Sequence, residues 1–298
     1  MTRNEYLEAK YEEMRRRYRN SNRAFNINPS IARIDPFMIA DGLYYVGDKK
    51  VCIHLIDTGD GLVLIDSGYL GAAHLLVDSI WRAGFDPRDV KWIIHSHGHS
   101  DHFGATDEFR SMYGTKAAIS RIDAEILRSP TPHVDTLLFP LAVTPTFDLE
   151  LEDGDVFELG WLKMRCVLTP GHTEGVLSFF FDVTYDGKTY TAAMFGGAGT
   201  NAITLPYIFH NNSPADSPRI MLDSIEKVRG GKVDIQLGNH PYNNHTLEKR
   251  EKQLGEGGNP FIAPNDWQEF LNSTKKKIEK AIESNKAMEL EMSSVCEQ

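Results

Sequence analysis

Cysteine is scarce in this 298-residue chain: Cys52, Cys166 and Cys296 are scattered and odd in number. Such a set builds no disulfide framework and fits a reducing compartment. Long apolar runs are missing as well. No stretch approaches the roughly 18 residues that a membrane helix needs, and Met1 is followed by polar and charged residues rather than by the apolar core of a secretion signal. A cytoplasmic protein without membrane spans is the expectation. Basic charge is the third shortage, with 32 Lys and Arg against 42 Asp and Glu and a net charge of −10. That balance disfavours a nucleic acid or an anionic membrane as partner.

Histidine, by contrast, is crowded at one place. Val90, Trp92, Ile93 and Ile94 read as a short buried strand, and directly after it come His95, His97, Gly98, His99, Asp101 and His102. Imidazoles and a carboxylate packed at the end of a buried strand are costly to desolvate unless something neutralises or ligates them. A divalent metal does both, taking neutral imidazole nitrogen at about 2.0–2.1 Å and carboxylate oxygen at about 2.0–2.2 Å. The plain alternative is a solvated His-rich loop. Two more strands end on a histidine. One, over 162–168, runs into Thr169-Pro170-Gly171-His172-Thr173; the other, over 233–237, runs into Gly238-Asn239-His240-Pro241. Alone, either would read as an ordinary hydrogen-bonded histidine, but their shared position after strand ends makes both candidate ligands.

The remaining chain supplies the frame. Residues 4–19 space Leu7, Tyr11, Met14 and Tyr18 along one helix stripe. Arg15-Arg16-Arg17 lies among Glu5, Glu8, Glu12 and Glu13, which reads as a solvated helix face rather than a nucleic-acid arm. From Leu43 the period becomes that of strands, over 43–46, 51–56 and 62–65, with turn residues between them and Asp66-Ser67-Gly68 at the end. A helix over 72–83 and the histidine strand complete a βαβ unit, and active groups collect where such strands end. A helix over 103–113, a strand over 116–119 and a helix over 121–127 follow. Residues 129–147 hold four prolines and read as a long loop of the kind that forms a lid; Phe139, Leu141 and Val143 there either line a pocket or pack. Further strands are expected over 148–151, 156–159, 176–183 and 190–195, and a helix over 214–229 with Ile220, Ile225 and Val228 inward. After Pro264 an amphipathic helix carries Trp267, Phe270, Leu271, Ile278 and Ile282 toward the core. The organisation expected is a helical or looped extension over 1–39, a catalytic domain over 40–287 and a frayed tail over 288–298.

His97-x-His99-x-Asp101-His102 fixes four residue types within six positions and resembles the signature of the metallo-β-lactamase superfamily. Asp66 in Leu64-Ile65-Asp66-Ser67-Gly68, His172 in Pro-Gly-His-Thr and His240 after a late strand are similar to the superfamily's other motifs, in the same order. The resemblance implies an α/β fold, an αβ/βα four-layer sandwich of two central β-sheets with helices outside and metals at one edge. It implies that His97, His99 and His172 hold one metal, that Asp101, His102 and His240 hold a second, and that Asp66 orients ligand side chains. Asp101 would also be catalytic, orienting the attacking water and relaying its proton. His95 falls outside the pattern and reads as packing. His54, His74, His133, His210 and His245 read as ordinary histidines, the last two with a secondary reading on the substrate side.

Departures from the pattern narrow the resemblance. Glyoxalase II and the phosphodiesterases place a metal-bridging aspartate after the strand that here ends Met194-Phe195-Gly196-Gly197, and the commonest metallo-β-lactamases place a cysteine ligand in that region. This chain has glycine there. What remains is similar to the subclass whose ligands are five histidines and one aspartate, although those enzymes are usually exported and often carry a disulfide. The implied cofactors are two divalent ions, zinc foremost, with iron or manganese also compatible. The implied reaction is hydrolysis of a small-molecule substrate, a cyclic amide of the β-lactam type first, with another small-molecule lactone, ester or amide as the alternative. A non-catalytic module stapled by metals is the third reading, although structural zinc sites are usually closed and cysteine-rich. The run Gly196-Gly197-Ala198-Gly199 either lets substrate approach the backbone or is a tight turn. Asn201, Tyr207 and Asn211 beyond it are candidate substrate contacts.

Overall fold

Leu62-Val63-Leu64-Ile65 is apolar at every position, and the fold shows why: both faces of its strand are covered. Val63 and Ile65 face a core shared by two sheets, while Leu62 and Leu64 face a layer of helices. The computed structural model describes residues 2–129, 146–255 and 257–296. The chain opens with helix α1 (Arg3–Ile27), whose start is a capping box. The Thr2 hydroxyl accepts from the Glu5 amide, and the Glu5 carboxylate accepts from the Thr2 amide. Seven strands then build the first sheet in chain order: β1 (Phe37–Ala40), β2 (Leu43–Tyr45), β3 (His54–Asp57), β4 (Leu62–Ile65), β5 (Val90–Ile94), β6 (Lys116–Ser120) and β7 (Leu149–Leu151). The first four form an antiparallel meander, and β4 through β7 run parallel. Helices make the crossovers: α2 (Ala73–Arg82), then α3 (Ser100–Phe103) and α4 (Thr106–Tyr113), then α5 (Arg121–Arg128).

The second sheet holds β8 (Val156–Leu159), β9 (Leu162–Leu168), β10 (Leu177–Tyr185), β11 (Lys188–Met194) and β12 (Ile235–Leu237), in the order β12-β11-β10-β9-β8. Between β11 and β12 lie α6 (Leu205–His210) and α7 (Ser217–Arg229), and α8 (Thr246–Gly255) and α9 (Asp266–Cys296) follow. The period of two along β10 sorts its residues. Phe179, Phe181 and Val183 enter the core between the sheets, and Phe180 enters the outer layer with Met221 and Ile225 of α7 and Trp267 and Leu271 of α9. On the other flank Leu76 and Ile80 of α2 and Phe109 of α4 cover β4 and β5. This is the expected αβ/βα four-layer sandwich. Each fully buried Phe or Leu in these layers contributes about 1.5–3 kcal/mol, so the sheets are rigid and their ends are fixed points.

Several expectations shift. β1, over Phe37–Ala40, precedes the first expected strand at Leu43, and α6 and α8 were not legible as helices. The stretch expected as one strand over 51–56 pairs only from His54. Its first part turns away, and the Cys52 amide donates to the Asn239 carbonyl at 3.0 Å. The helix expected over 103–113 breaks at Gly104, where a Cβ would lie 2.2 Å from the Leu70 nitrogen. In α7 the inward position belongs to Met221, with Ile220 only half-buried. The tail expected to fray from Met288 is instead helical to Cys296, because Met288 and Met292 pack on Tyr6 and Leu7 of α1. Phe139, Leu141, Val143 and His133 lie outside the described residues. Cys52 and Cys166 are buried free thiols, and among the described residues no helix is long and apolar enough to cross a membrane.

Candidate metal centre

Strand ends from both sheets meet at one edge of the sandwich. β4 delivers Asp66, β5 delivers the histidine cluster, β9 leads to His172 and β12 leads to His240. Asp66 sits at φ 63°, a left-handed conformation that costs a non-glycine residue about 1–3 kcal/mol. In that conformation its Oδ1 accepts the Ser96 amide at 2.7 Å. Its Oδ2 accepts the Ser96 hydroxyl at 2.8 Å and the His102 Nδ1–H at 2.7 Å.

Two trios of donor atoms result, each with its ligand atoms within 4.8 Å of one another. In the first, His97 Nε2 lies 3.2 Å from His99 Nδ1, which lies 2.9 Å from His172 Nε2. A tetrahedral ion at about 2.0–2.1 Å from each nitrogen separates its ligands by about 3.3 Å, close to this spacing. In the second, Asp101 Oδ2 lies 3.6 Å from His102 Nε2 and 3.6 Å from His240 Nε2.

The outer nitrogens of the rings set their tautomers. His172 Nδ1 donates to the Gly199 carbonyl at 2.7 Å, and His240 Nδ1 donates to the Lys50 carbonyl at 2.7 Å. Ser96 Oγ has already donated its proton to Asp66, so at 3.0 Å it accepts from His97 Nδ1. His99 Nε2 lies 3.1 Å from the Tyr207 hydroxyl. Each of His97, His102, His172 and His240 therefore turns a bare Nε2 lone pair inward, and the buried His102 Nε2 has no hydrogen-bond partner at all. Converging lone pairs repel one another unless a cation lies between them, and such fixing of outer nitrogens is how proteins orient imidazole ligands. The donor set of five imidazoles and one carboxylate fits a pair of divalent ions.

Electrostatics agree with ligating protonation states. Burial, reinforced by neighbouring imidazoles, holds His97 and His99 well below the ordinary histidine range and His172 at about 4. His240 is also lowered, chiefly by burial. His102 is the exception: burial pulls it down, but Asp101 and Asp66 outweigh that and its value is raised. Burial pushes Asp101 up, yet His102, His240 and His99 hold it below the usual carboxylate range.

Two glycines of the run after β11 make room for the His172 ring. A Cβ on Gly197 would lie 2.9 Å from the Cβ and Cδ2 of His172, and one on Gly199 would lie 2.9 Å from its Cε1. At Gly196 a Cβ would lie 2.0 Å from the Leu177 carbonyl oxygen. Of the candidate substrate contacts, only Asn201 lines the cleft above the trios. Tyr207 is buried and braces His99, and buried Asn211 donates back to the Tyr207 carbonyl. His210 faces α1, 2.9 Å from Glu8 and stacked on Tyr11, and His245 lies outside the cleft lining. His95 points away from the centre, to the Ala118 carbonyl and the Thr106 hydroxyl.

Three contributors escaped the sequence. The cleft, of about 280 Å³, has α1 as one wall through Met14, Tyr18 and Asn22. Lys50, Tyr69 and Tyr242 line it from elsewhere. Behind it, buried Asp123 of α5 accepts from the Gly98 amide at 2.7 Å, the Thr173 hydroxyl at 2.8 Å and the Gly175 amide at 2.9 Å. One carboxylate thus ties the loop of His97 and His99 to the loop of His172.

Residues 47–184 match the family model of the metallo-β-lactamase superfamily. The fold is similar to that of BJP-1, a subclass B3 metallo-β-lactamase of Bradyrhizobium japonicum, with a TM-score of 0.78, 24% identity and coverage of 88% of this chain and 98% of that one. Among curated proteins, the chain is 31% identical to the acyl-coenzyme A thioesterase MBLAC2 of Bos taurus over 187 residues, 50% of this chain and 66% of that protein. It is 31% identical to a hydroxyacylglutathione hydrolase of Cereibacter sphaeroides over 107 residues, 36% of this chain and 35% of that protein. The chain thus spans only part of the length of these curated relatives.

Proposed function

With residues 47–184 belonging to the metallo-β-lactamase superfamily, we propose that this chain is a dinuclear metal-dependent hydrolase of small acyl compounds, with a cyclic amide of the β-lactam type as the leading substrate. The observation that carries the reading is the pair of donor trios, their lone pairs turned inward, beneath an open cleft. Two divalent cations, zinc by the donor set, would supply there an acidified water and an electrophile for the substrate carbonyl.

The chain's own groups do the rest. Asp101, the one carboxylate among the described residues lining the cleft and mostly buried, stays ionised and takes the proton of the attacking water, then passes it to the leaving nitrogen or oxygen. Asp66, Ser96, Tyr207, Gly199 and Lys50 hold the imidazoles in one tautomer, so little reorganisation accompanies reaction. Tyr18, Tyr69 and Tyr242 wall the cleft. The catalytic unit, taken as residues 40–287, uses α1 as part of that wall.

A second reading, thioester hydrolysis by the same residues, is favoured by the names of the relatives, a hydroxyacylglutathione hydrolase and an acyl-coenzyme A thioesterase. Against a bridging carboxylate of the kind the resemblance associates with glyoxalase II stands Gly196, whose surroundings leave no room for a Cβ. Nitrocefin beside panels of lactones, esters and thioesters, assayed on metal-loaded protein, decides between the two. His97→Ala and Asp101→Ala are each expected to abolish turnover with the far-ultraviolet circular dichroism unchanged. Turnover retained in both, or full activity after chelation, would refute the assignment.

A further inference from the structure

The loop between β2 and β3 puts a cation beside the second trio. Asp48 folds this loop by accepting the Lys50 amide at 2.6 Å and the Val51 amide at 2.9 Å on Oδ1. The same backbone is latched to the ligand loop, with the Lys50 carbonyl receiving His240 Nδ1 at 2.7 Å and the Cys52 amide donating to Asn239 at 3.0 Å. The Lys50 side chain leaves this latch into the cleft. We infer that Lys50 is the anion-recognition residue of this site, its ammonium seating a carboxylate carried by the substrate on the His240 side. The inference rests on the dinuclear reading above and narrows its substrate class to carboxylate-bearing acyl compounds.

Three observations carry it. Among the described residues lining the cleft, Lys50 is the one Lys or Arg. Its ammonium is held by neutral groups, Asn22 Oδ1 at 3.2 Å and the Phe25 ring at 6.0 Å, both from α1. By contrast, Lys91, Lys227, Lys249 and Lys275 each meet a carboxylate within 3.1 Å. Asp48 is a charge neighbour of this ammonium but forms no ion pair with it, and its Oδ1 is taken by two amides. In a chain of net charge −10, a half-buried ammonium that lines the same cleft as Asp101 and His240 and hydrogen-bonds a neutral amide is a selective feature. A carboxylate arriving there gains a charge-assisted hydrogen bond in a partly desolvated site. Asn22 narrows the freedom of the lysine, so α1 positions the anion subsite as well as walling it.

The test uses binding. Zinc-loaded full-length protein is titrated calorimetrically with mercaptoacetate, 3-mercaptopropionate and 6-mercaptohexanoate, each beside its methyl ester. The thiol anchors every probe to the metal centre, and only the acids present a carboxylate. At one chain length or more, the acid should bind about tenfold tighter than its ester or better, and added salt should shrink the preference. Lys50→Met should remove the preference, each acid falling to the affinity of its own ester; Lys50→Arg should retain most of it. Equal affinity of acid and ester at every length in the wild-type protein overturns the inference, as does a preference that survives in Lys50→Met. Binding by no thiol at all overturns the dinuclear reading itself. Equal wild-type affinities overturn the inference even where a variant folds poorly, and Lys50→Gln repeats the comparison if Lys50→Met does not fold.

Discussion

Asp123→Asn is the most informative single substitution, because it touches no ligand yet acts on both ligand loops. The carboxylate is 1% exposed and meets three donors, with Gly98 N–H and Thr173 Oγ–H on Oδ2 and Gly175 N–H on Oδ1. Its place is fixed by the start of α5, where the Asp123 amide donates to the capping Ser120 hydroxyl at 3.1 Å. Asparagine keeps one acceptor. With that oxygen toward Gly98 and Thr173, its NH₂ faces the Gly175 amide, so one charge-assisted bond is lost and one buried donor is stranded. Together these cost about 2–4 kcal/mol, or roughly 4–12 °C in Tm for a chain of this size. Looser ligand loops should also weaken metal binding about 10–100-fold, read by chelator competition at pH 8. The pH dependence has a definite sign. Burial pushes the Asp123 carboxyl up to about 6, so between its ordinary range and about 6 the folded protein binds more protons than the unfolded chain. Wild-type stability from this group therefore falls as pH rises through that window, whereas the asparagine variant has no such term. The Tm gap should be wider near pH 4 than at pH 8, and taking the difference cancels the histidines common to both proteins. An Asn variant with wild-type Tm and wild-type metal affinity at pH 8 refutes the bracing role.

Tyr207→Phe removes the hydroxyl 3.1 Å from His99 Nε2 and should lower affinity at the first trio about tenfold; an unchanged chelator titration counts against that tautomer lock. Gly199→Ala brings a Cβ within 2.6 Å of Asn201 Oδ1 and 2.9 Å of His172 Cε1. Native mass spectrometry should then show one ion per chain in place of two, and a full complement would show that the loop yields. Acid should destabilise the metal-free protein as pH falls from about 6.5 to 4, because burial holds His54 and His95 at about 4 while the unfolded chain protonates at the ordinary value. Each such group accounts for on the order of 3 kcal/mol. His54, with neither nitrogen partnered, is the cleaner probe, and denaturant melts of His54→Leu should show a flatter acid slope than wild type.

The donor atoms were legible early because ligation restricts residue type. Only imidazole, carboxylate or thiolate serves, and the cluster from His97 to His102, together with His172 and His240, supplies that chemistry at three strand ends. The sheets were legible too, since covered faces demand apolar runs such as 62–65 and 179–181. The substrate side was not. The stripe Leu7, Tyr11, Met14 and Tyr18 announces that something covers one face of α1 without naming what does, and the structure splits that stripe between packing on α6 and walling the cleft. Tyr207 looked like a substrate contact because it follows the glycine run, yet α6 turns its hydroxyl inward to His99.

By itself, then, the sequence determined which atoms can bind metal and which strands carry them, since both depend on residue type and short-range period. Tertiary structure alone decided which tautomer each ring holds, why two glycines press on His172, and that Lys50 and α1 wall the cleft. Those outcomes depend on distances between segments far apart in the chain, and periodicity along a chain carries no information about distances across it.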